Sequence, residues 1–500
     1  MRAITNAVFL GLASLCAIGP LGCAHRTGLR GGVAPGPPPD SELGERADDA
    51  VNFLNLLARR QLHDLKKEQW NVYGQFTWIS SFKLPFAAPY TNLNGSTQSL
   101  SPAFEHSFTG SFTVYLGAAL WPGAEVYFVP EVISEQALSG LTGLGGVIQN
   151  FELQKQGSQL PTVYSSRLFF RQTFDFGGQR VVKTSEPMQL GAVVRSRRLV
   201  FSIGNFSLLD FFDKNSFASD LRRQFFNMAF LTYAAYDFAA DARGYTWGGV
   251  LELYLDDWAF RLGRGVVPTN PNQLPLDGRF WEYYGDQLEI EHVHKLRGRP
   301  GAVRILGYRN HENLGRFDEA VTAYDTNPQH NAAACPGFSY GSKNTQAPDL
   351  CWVRRPDVKL GIGINLEQTV FADIGLFLRA MYSDGQTEVY SFTSTDASLA
   401  LGALARGSLW HRAKDYTGVG YGIGWLSPSH ASYLGKGGID GFIGDGRLTQ
   451  APESVFEIFY GLHLLSSIWV SGDYQHITNP AHNADRGPVD ILGARLHAEF

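Results

Sequence analysis

The sequence predicts an all-β fold: a transmembrane antiparallel β-barrel of about 16 strands, preceded by a short N-terminal helix. Apolar and polar residues alternate along many short stretches, which is the period-2 pattern of a strand between two environments. No stretch reaches the roughly 18 consecutive apolar residues that a transmembrane helix needs. The chain also ends on an aromatic residue, Phe500, without a polar tail.

The C-terminal stretch Val489–Phe500 shows the alternation most clearly. Leu492, Leu496 and Phe500 fall on one face of a strand, whereas Arg495 falls on the other with a histidine and a glutamate. A strand that ends on an apolar residue needs an apolar environment outside it. We expect it to pair with the first strand, because a closed barrel satisfies every backbone group in lipid. Taken alone, these residues also fit a sandwich strand with a buried end.

The composition limits the class of protein. Only 18% of the residues are charged and the formal net charge is −5, so a strongly basic nucleic-acid-binding surface is not expected. The hydrophobic content of 44% is ordinary for a folded chain, and a disordered composition is excluded. The chain is therefore either soluble or inserted in a membrane as a barrel, and nucleic acid is not expected as a partner.

The N-terminus reads as a secretory signal followed by a linker and a helix. Residues 1–24 are a predicted signal peptide with cleavage after Ala24. A lipid anchor on Cys23 is the competing interpretation. Residues 25–69 begin as a Gly- and Pro-rich linker, and from about Arg46 to Lys67 apolar residues recur at helical spacing. We expect a periplasmic amphipathic helix near the end of the barrel.

Residues 70–500 form the predicted barrel domain. This span offers about 27 residues for each of sixteen strands, enough for roughly 10 residues of strand with alternating short turns and long loops. Clear alternation marks 71–78, 108–116, 125–128, 167–176, 245–254, 358–367, 373–380, 468–475 and 489–500, and weaker alternation marks 199–204, 287–293, 302–309, 389–401 and 417–425.

Four charged residues on the polar faces of these strands are candidates for the lining of a channel. Arg167 and Arg171 share the polar face of a strand whose other face carries large apolar groups. They fit two roles equally well: hydrogen-bond donors to a solute, or partners of loop carboxylates that hold a loop in place. Glu252 and Arg379 are candidates by the same argument about facing.

The segment Asn205–Asn227 is the candidate for a loop that folds into the barrel. It combines many aromatic residues with Asp210, Asp213, Arg222 and Arg223, and we expect these four to line the narrowest point. A solvated outer loop with ordinary charge balance is the alternative, since long connections usually run over the surface.

The long connection 310–356 contains two cysteines and a hydrolase-like motif. Cys335 and Cys351 remain after removal of the signal peptide, and an even pair in an exported chain predicts a disulfide. Gly337–Gly341 fits the G-x-S-x-G pattern, but that motif requires a strand before it and a helix after it. Here it lies in a loop rich in Gly, Ala, Asn and Pro, so catalysis is not expected.

His292 and His294 lie two residues apart on one face of a predicted strand, an arrangement that could begin a metal site. No third ligand follows at a suggestive spacing, so we interpret both as solvent-facing or interfacial residues. Four tryptophans, Trp70, Trp78, Trp247 and Trp258, are interpreted as an aromatic girdle at the membrane interface. We therefore expect no metal and no cofactor.

Several short motifs resemble the carbohydrate-selective porins of Gram-negative outer membranes. They run in order through nearly all of the chain after Trp70, and the N-terminal linker, the helix and the cysteine loop lie outside them. The motifs are Trp121–Glu125 with Pro130 and Glu131, Phe169–Phe174, Gly204–Ser207 with Asp210, Phe212 and Asp213, Ala239–Tyr245, Asp473–His476 with Asn479 and Pro480, and Asp485–Val489.

The resemblance implies a sixteen-stranded barrel in the outer membrane, with loops folded into a channel that passes monosaccharides and related polyols down their gradient. The partners it implies are the carbohydrate substrate, membrane lipid and the outer-membrane assembly machinery, which would read Phe500 as its insertion signal. A general porin without sugar preference is the first alternative. A barrel enzyme is the second, although no Ser, His and Asn or Asp set facing one side is found in the sequence.

Overall fold

Sixteen antiparallel strands form one closed barrel, in which each strand pairs with the next and β1 pairs with β16. The computed structural model describes residues 53–154, 157–328, 346–391, 393–465 and 467–500. The predicted fold and strand number are confirmed. The strands are β1 Trp70–Lys83, β2 Glu105–Trp121, β3 Ala124–Gln136, β4 Thr162–Lys183, β5 Ala192–Phe206, β6 Thr246–Leu255, β7 Trp258–Val266, β8 Tyr284–Leu296, β9 Arg299–Leu314, β10 Arg355–Phe371, β11 Ile374–Ser383, β12 Ala397–Arg406, β13 Tyr416–Trp425, β14 Glu453–Leu465, β15 Ile468–Thr478 and β16 Val489–Glu499.

The alternation of the sequence separates an apolar outer face from a polar inner face. Leu262 on β7 and Ile305 on β9 are about half exposed, whereas their neighbours Arg261 and Arg304 are buried inside the barrel. Such an outer band suits contact with lipid, because hydrocarbon offers no partner for polar groups. The exposed tryptophans include Trp70, Trp78, Trp247 and Trp258.

The barrel closes between its first and last strands, as the C-terminal pattern predicted. Phe76 lies opposite Ala498, and the pairing continues to Lys83 opposite Ile491. The last residue extends the ladder, because Gly74 donates to the carbonyl of Phe500 at 2.8 Å and receives a hydrogen bond from it at 2.9 Å. A Cβ atom at Gly74 would overlap the Phe500 ring, so any side chain at this point of the seam would displace that ring.

Long and short connections alternate around the barrel. One end carries the turn between β2 and β3 at Pro122 and Gly123 and similar short links, and the other end carries long loops such as 207–245 and 426–452. Outer-membrane barrels place their short turns in the periplasm, so residues 53–69, which precede β1, lie at the periplasmic end. Most buried apolar residues lie inside the barrel, where long loops pack against the inner wall.

The helices are short and lie outside the strands. Helix α1 ends at Arg59, and Gln61 has a positive φ of 56°, so the helix predicted to extend to Lys67 is shorter at its C-terminal end. Among the described residues, no helix has both the length and the apolar character needed to cross a bilayer. The α-helices are α1 Phe53–Arg59, α2 Met228–Leu231, α3 Phe317–Thr326 and α4 Pro428–Gly435, and the 3-10 helices are Leu93–Gly95, Leu138–Gly140, Leu208–Asp210, Leu350–Val353, Gly407–Trp410 and Pro480–His482.

Several sequence predictions fall on residues outside the described ranges. These are the signal peptide 1–24 with the alternative lipid anchor on Cys23, the linker and the start of the predicted helix before residue 53, the Cys335 partner of the predicted disulfide with Cys351, and the G-x-S-x-G motif at Gly337–Gly341. They stay predictions.

Candidate functional site: the interior of the barrel

The loop between β5 and β6, residues 207–245, runs inside the barrel and is called the in-folded loop below. Its aromatic residues Phe212, Tyr236 and Phe230 are all fully buried. Phe230 packs with Phe225 of the same loop and Phe377 of the β11 wall, with ring centroids 4.8 and 6.2 Å away. The segment predicted to fold inward therefore lies inside the barrel and fills part of its cross-section.

The backbone of the in-folded loop is held by inward-facing glutamates of the wall. A carboxylate that accepts a main-chain N–H makes a charge-assisted hydrogen bond, which is stronger than a neutral one. Glu289 of β8 accepts from Asp213, Glu367 of β10 from Ser216 and Glu457 of β14 from Phe226, each at 2.7 Å. The loop is therefore fixed to three separate parts of the wall.

Asp213 and Arg379 form a buried ion pair beneath this loop. The guanidinium nitrogen Nε of Arg379 lies 3.0 Å from the Asp213 carboxylate, and the residues are 1% and 2% exposed. Arg379 also donates to the carbonyl groups of Ala218 and Phe230 at 2.6 Å each. These two residues, predicted to line the channel, are thus buried where the loop meets the wall.

Glu252 belongs to a chain of buried charges on neighbouring strands. Arg261 of β7 lies 3.2 Å from Glu252 and 2.7 Å from Glu289, and Arg304 of β9 lies 2.5 Å from Glu291. All five residues are at most 7% exposed. Glu252 is therefore a wall residue whose carboxylate is paired with Arg261.

The inward-facing side chains that stay partly exposed concentrate on the other half of the barrel. At mid-barrel on β8 to β11, residues such as Glu289, Arg304 and Asn365 are fully buried. By contrast, β1, β2, β4 and the adjoining part of the in-folded loop present polar and aromatic groups with remaining accessible surface. We call this set the lining: Gln75, Tyr115, Tyr164, Arg167, Asp210, Lys214, Arg222, Arg223, Arg243 and Tyr245.

Arg167 and Asp210 connect the barrel wall to the in-folded loop within the lining. Two nitrogens of the Arg167 guanidinium donate to the two oxygens of Asp210, each at 2.7 Å. The side chains keep 15% and 13% of their surface exposed. The guanidinium carbon lies 5.2 Å from the centre of the Tyr245 ring. The predicted bond to a loop carboxylate is thus present, and part of the guanidinium edge still faces the lumen.

Arg222 joins two loops to the wall. Its guanidinium contacts Glu152 of the second long loop and lies 3.8 Å from Glu131 of β3. Glu131 also accepts a hydrogen bond from Thr113 at 2.7 Å and another from the Tyr164 hydroxyl. The Arg222 side chain stays 16% exposed, so the lining has a second held but accessible arginine.

Arg223 contributes a third arginine next to an aromatic surface. Its guanidinium carbon lies 4.2 Å from the Trp469 ring centre, and its terminal nitrogen lies 3.9 Å from Glu499. The side chain is 18% exposed. Arginine, tyrosine and tryptophan side chains therefore lie close together in this part of the lumen, a combination that can offer both hydrogen bonds and flat apolar faces.

Arg171 lies nearer to the periplasm than the other predicted residues. It donates to the carbonyl of Met188 at 2.9 Å and lies 3.5 Å from Glu125. Its guanidinium is 5.2 Å from the rings of both Tyr127 and Phe169. The guanidinium of Arg171 is therefore held by contacts at the periplasmic end of the barrel.

Sequence reasoning missed several members of the lining. Tyr115 lies on the polar face of the predicted strand 108–116, so the alternation could have identified it. Glu131, which accepts a hydrogen bond from Tyr164 of the lining, follows the predicted strand 125–128 on its inward face. Tyr245 was assigned by alternation to the face of Trp247, but it precedes β6 and its ring turns inward against Tyr164, with 6.0 Å between centroids. A loop residue has no fixed facing, so alternation could not place it.

At the extracellular end, His430 of α4 connects three loops. Its ring nitrogens lie 3.0 Å from Asp396 and 3.2 Å from Asp440, and its ring stacks on Phe317 of α3 at 4.2 Å. Burial acts to lower the pKa of His430, but the two carboxylates outweigh it and raise the pKa to about 9. The imidazole is therefore positively charged at neutral pH and holds the loops together.

A closed sixteen-stranded barrel with an apolar outer band, an in-folded loop and a charged lumen defines a channel of the porin class. Residues 97–500 match the family described as carbohydrate-selective porin, OprB family. The match covers most of the chain, so the chain belongs to this family. It is a carbohydrate channel of the Gram-negative outer membrane.

Several solved structures of outer-membrane channels are similar to this chain. The chain is similar to the high-pH structure of Pseudomonas putida OprB with a TM-score of 0.60 and 16% identity over 86% of this chain and 94% of that chain. Its similarity to the low-pH structure of the same protein has a TM-score of 0.47 and 12% identity, over 90% of this chain and 98% of that chain. Its similarity to the outer membrane channel DcaP of Acinetobacter baumannii has a TM-score of 0.45 and 8% identity, over 86% of this chain and 97% of that chain. No match was found among curated protein sequences.

Proposed function

We propose that carbohydrates cross the barrel along the lining, between the inner wall of β1 to β4 and the in-folded loop. The observation that carries this proposal is the distribution of exposure. The mid-barrel side chains of β8 to β11 are buried beneath the in-folded loop, whereas Arg167, Arg222 and Arg223 keep accessible surface on the opposite side. Asp210 accompanies Arg167 as its partner.

The chemistry of the lining suits a neutral sugar. Guanidinium groups donate hydrogen bonds to hydroxyl groups, and the faces of Tyr115, Tyr164 and Tyr245 suit the C–H faces of a sugar ring. Carboxylates already hold Arg167 and Arg222, so each arginine has few donors left for a solute. Binding is therefore expected to be weak, as a channel requires, because a solute that binds tightly does not leave.

Current block by glucose tests the pathway. In planar bilayers, Arg167→Ala and Arg222→Ala should each reduce the block of ion current by glucose about tenfold or more. This corresponds to roughly 1.5 kcal/mol, the lower limit for a hydrogen bond to a charged group. Arg412→Ala is the matched control, because Arg412 is half exposed in the turn between β12 and β13 and pairs with Asp415. If glucose blocks the current of both lining variants as strongly as that of the unmodified channel, the solute takes another path.

We propose in addition that the channel prefers monosaccharides and related polyols to larger sugars and to non-sugars of equal size. Two loops and the wall meet at Arg222, which leaves a lumen bounded on several sides and supports a size limit. Swelling of liposomes by glucose, a disaccharide and an equal-sized non-sugar measures this preference. Equal swelling rates for glucose and the equal-sized non-sugar would favour a general porin.

The remaining proposals concern the ends of the chain and its partners. We infer that residues 1–24 are removed at export, that residues 25–69 form a periplasmic linker and helix, and that Cys335 and Cys351 form a disulfide. The lipid-facing ring of Phe500 supports its proposed role as the signal for the outer-membrane assembly machinery. We propose that the protein acts as a channel and not as an enzyme, which sugar flux without chemical change of the sugar would support.

A further inference from the structure

The hairpin formed by β4 and β5 continues past the periplasmic rim of the barrel. β3 pairs with β4 no further than Gln172, and β6 pairs with β5 no further than Arg197. Among the described strands, the remaining parts of β4 and β5 pair with each other alone, as far as Lys183. The register shifts twice around Gly177, and such bulges bend a strand pair. We call residues 184–191, which join the two strands, the hairpin tip.

The hairpin tip lies inside the periplasmic mouth of the barrel. The N–H of Leu190 donates to the hydroxyl of Tyr127 at 3.0 Å, and Arg171 donates to the carbonyl of Met188 at 2.9 Å. Tyr127 and Arg171 face inward from β3 and β4. Leu190 is 2% exposed and packs in the same aromatic cluster as Phe169. The bend therefore returns the hairpin to the lumen.

β1 and the segment before it hold the opposite side of the hairpin tip. Asn71 donates to a carbonyl of the tip at 2.8 Å, and the hydroxyls of Tyr73 and Ser185 lie 2.7 Å apart. Glu68, which is 5% exposed, accepts from the Ser185 hydroxyl and from the N–H of Gly191, both at 2.7 Å. The tip is thus fixed both to β3 and β4 and to the β1 side.

This places the hairpin tip below the lining on the path of a solute. On β1, Tyr73 and Asn71 are the next two inward positions after Gln75. On β4, Arg171 lies two inward positions after Arg167. One inward step is about 6.6 Å along a strand, so the tip lies about 7 to 13 Å on the periplasmic side of the lining. It also occupies the same half of the barrel.

We propose that the hairpin tip forms a second narrow point in series with the lining, and that Glu68 is a positioning residue that sets the size limit at the periplasmic exit. Glu68 precedes β1 and belongs to no strand, so the barrel can close without its side chain. The proposal goes beyond the sugar pathway above, because it assigns size selection to a periplasmic element distinct from the arginines of the lining.

Two variants test this proposal by releasing the tip. Glu68→Ala removes two hydrogen bonds to the tip, and replacement of Ser185–Leu190 by two glycines removes most of the tip itself. Single-channel conductance should rise towards about twofold, the limit when one of two equal resistances in series is removed. Larger polyethylene glycols should then enter from the periplasmic side, while the size limit measured from the extracellular side stays unchanged.

Lys67→Ala is the matched control, because Lys67 is the exposed neighbour of Glu68 and should leave conductance and polymer access unaltered. The proposal is overturned if the shortened hairpin inserts as a folded barrel and keeps the original conductance and polymer limits. The sugar pathway proposed above is tested by a different measurement. If that pathway is wrong, Arg167→Ala leaves the block of current by glucose unchanged, and this result does not affect the entry of polymers from the periplasmic side.

Discussion

Replacing Arg379 by alanine tests whether one residue of the wall keeps the in-folded loop in place. The side chain is 1% exposed, and its partners all belong to that loop. It bonds to the carboxylate of Asp213 at 3.0 Å, the carbonyls of Ala218 and Phe230 at 2.6 Å each and the hydroxyl of Ser219 at 2.8 Å. The variant leaves the carboxylate of Asp213 buried without its counter-ion.

The expected cost follows from that buried charge. Removing one partner of a buried ion pair costs about 3 to 5 kcal/mol, because the other charge stays buried and unpaired. Since about 1.4 kcal/mol changes an equilibrium tenfold, the folded position of the loop should lose a factor of at least about one hundred relative to open positions. The strand ladder uses none of these side-chain bonds, so barrel formation should be retained.

Single-channel recording and proteolysis measure this loss. Arg379→Ala channels should show larger current fluctuations, and trypsin should cleave after Lys214, which the unmodified loop protects by its place inside the barrel. Arg379→Lys keeps the charge but not the planar set of guanidinium donors. Its current fluctuations and its cleavage by trypsin should therefore lie between those of the unmodified channel and those of Arg379→Ala. Arg355→Ala is the control, because Arg355 is half exposed and pairs with Glu319 of α3. Quiet currents and full protection in Arg379→Ala would refute the reasoning.

Two further predictions concern the extracellular loops and the barrel seam. The pKa of His430 is raised, so its charged bridge between Asp396 and Asp440 should be complete below about pH 6.5 and lost as the pH rises through about 9. The rate of proteolysis of α4 should therefore increase between these two pH values. In the His430→Gln variant this rate should not depend on pH in that window. Deleting Phe500 should impair insertion into the membrane. Gly74→Leu should impair it in part, since the leucine side chain would displace the Phe500 ring. Heat-modifiable mobility on gels measures the inserted fraction, and normal insertion of both variants would contradict the proposed role of the seam between β1 and β16.

The strands of the barrel could be predicted wherever the inner face is polar. β4 and β16 alternate clearly because their inward residues face water or ion pairs. β14 was missed, because its inward side includes Val455 and Phe459, which pack against buried apolar groups inside the barrel. Where the contents of the lumen are aromatic, both faces of the strand become apolar and the period-2 signal disappears.

Strand ends were harder to predict than strand existence. The stretch 389–401 was expected to be a strand, but β12 begins only at Ala397. Buried polar residues before it serve the loop: Ser391 accepts and donates hydrogen bonds with the backbone of Ala240. β7 was also missed, although Trp258, Phe260 and Leu262 alternate along it with Ala259, Arg261 and Gly263, so the period-2 pattern could have identified it.

The sequence predicted which kinds of side chain line the channel better than it predicted which individual residues do so. Facing identified Arg167 and Arg171, because the direction of a strand residue follows from its parity. It could not separate them from Glu252 and Arg379, which face inward equally but are covered. Which inward residues stay in contact with water depends on where the in-folded loop lies, and that is decided by contacts between residues far apart in sequence.

The glutamates that hold the in-folded loop bind its main chain, and this affects how the solute preference of such a channel can change during evolution. Glu289 and Glu457 receive N–H groups that every residue except proline supplies. The path of the loop therefore depends little on exposed side chains such as that of Lys214. Substitutions at such positions can alter what the lumen recognises while its shape is retained, so that descendants of one barrel could acquire different solutes by exchanging a few side chains on a fixed support.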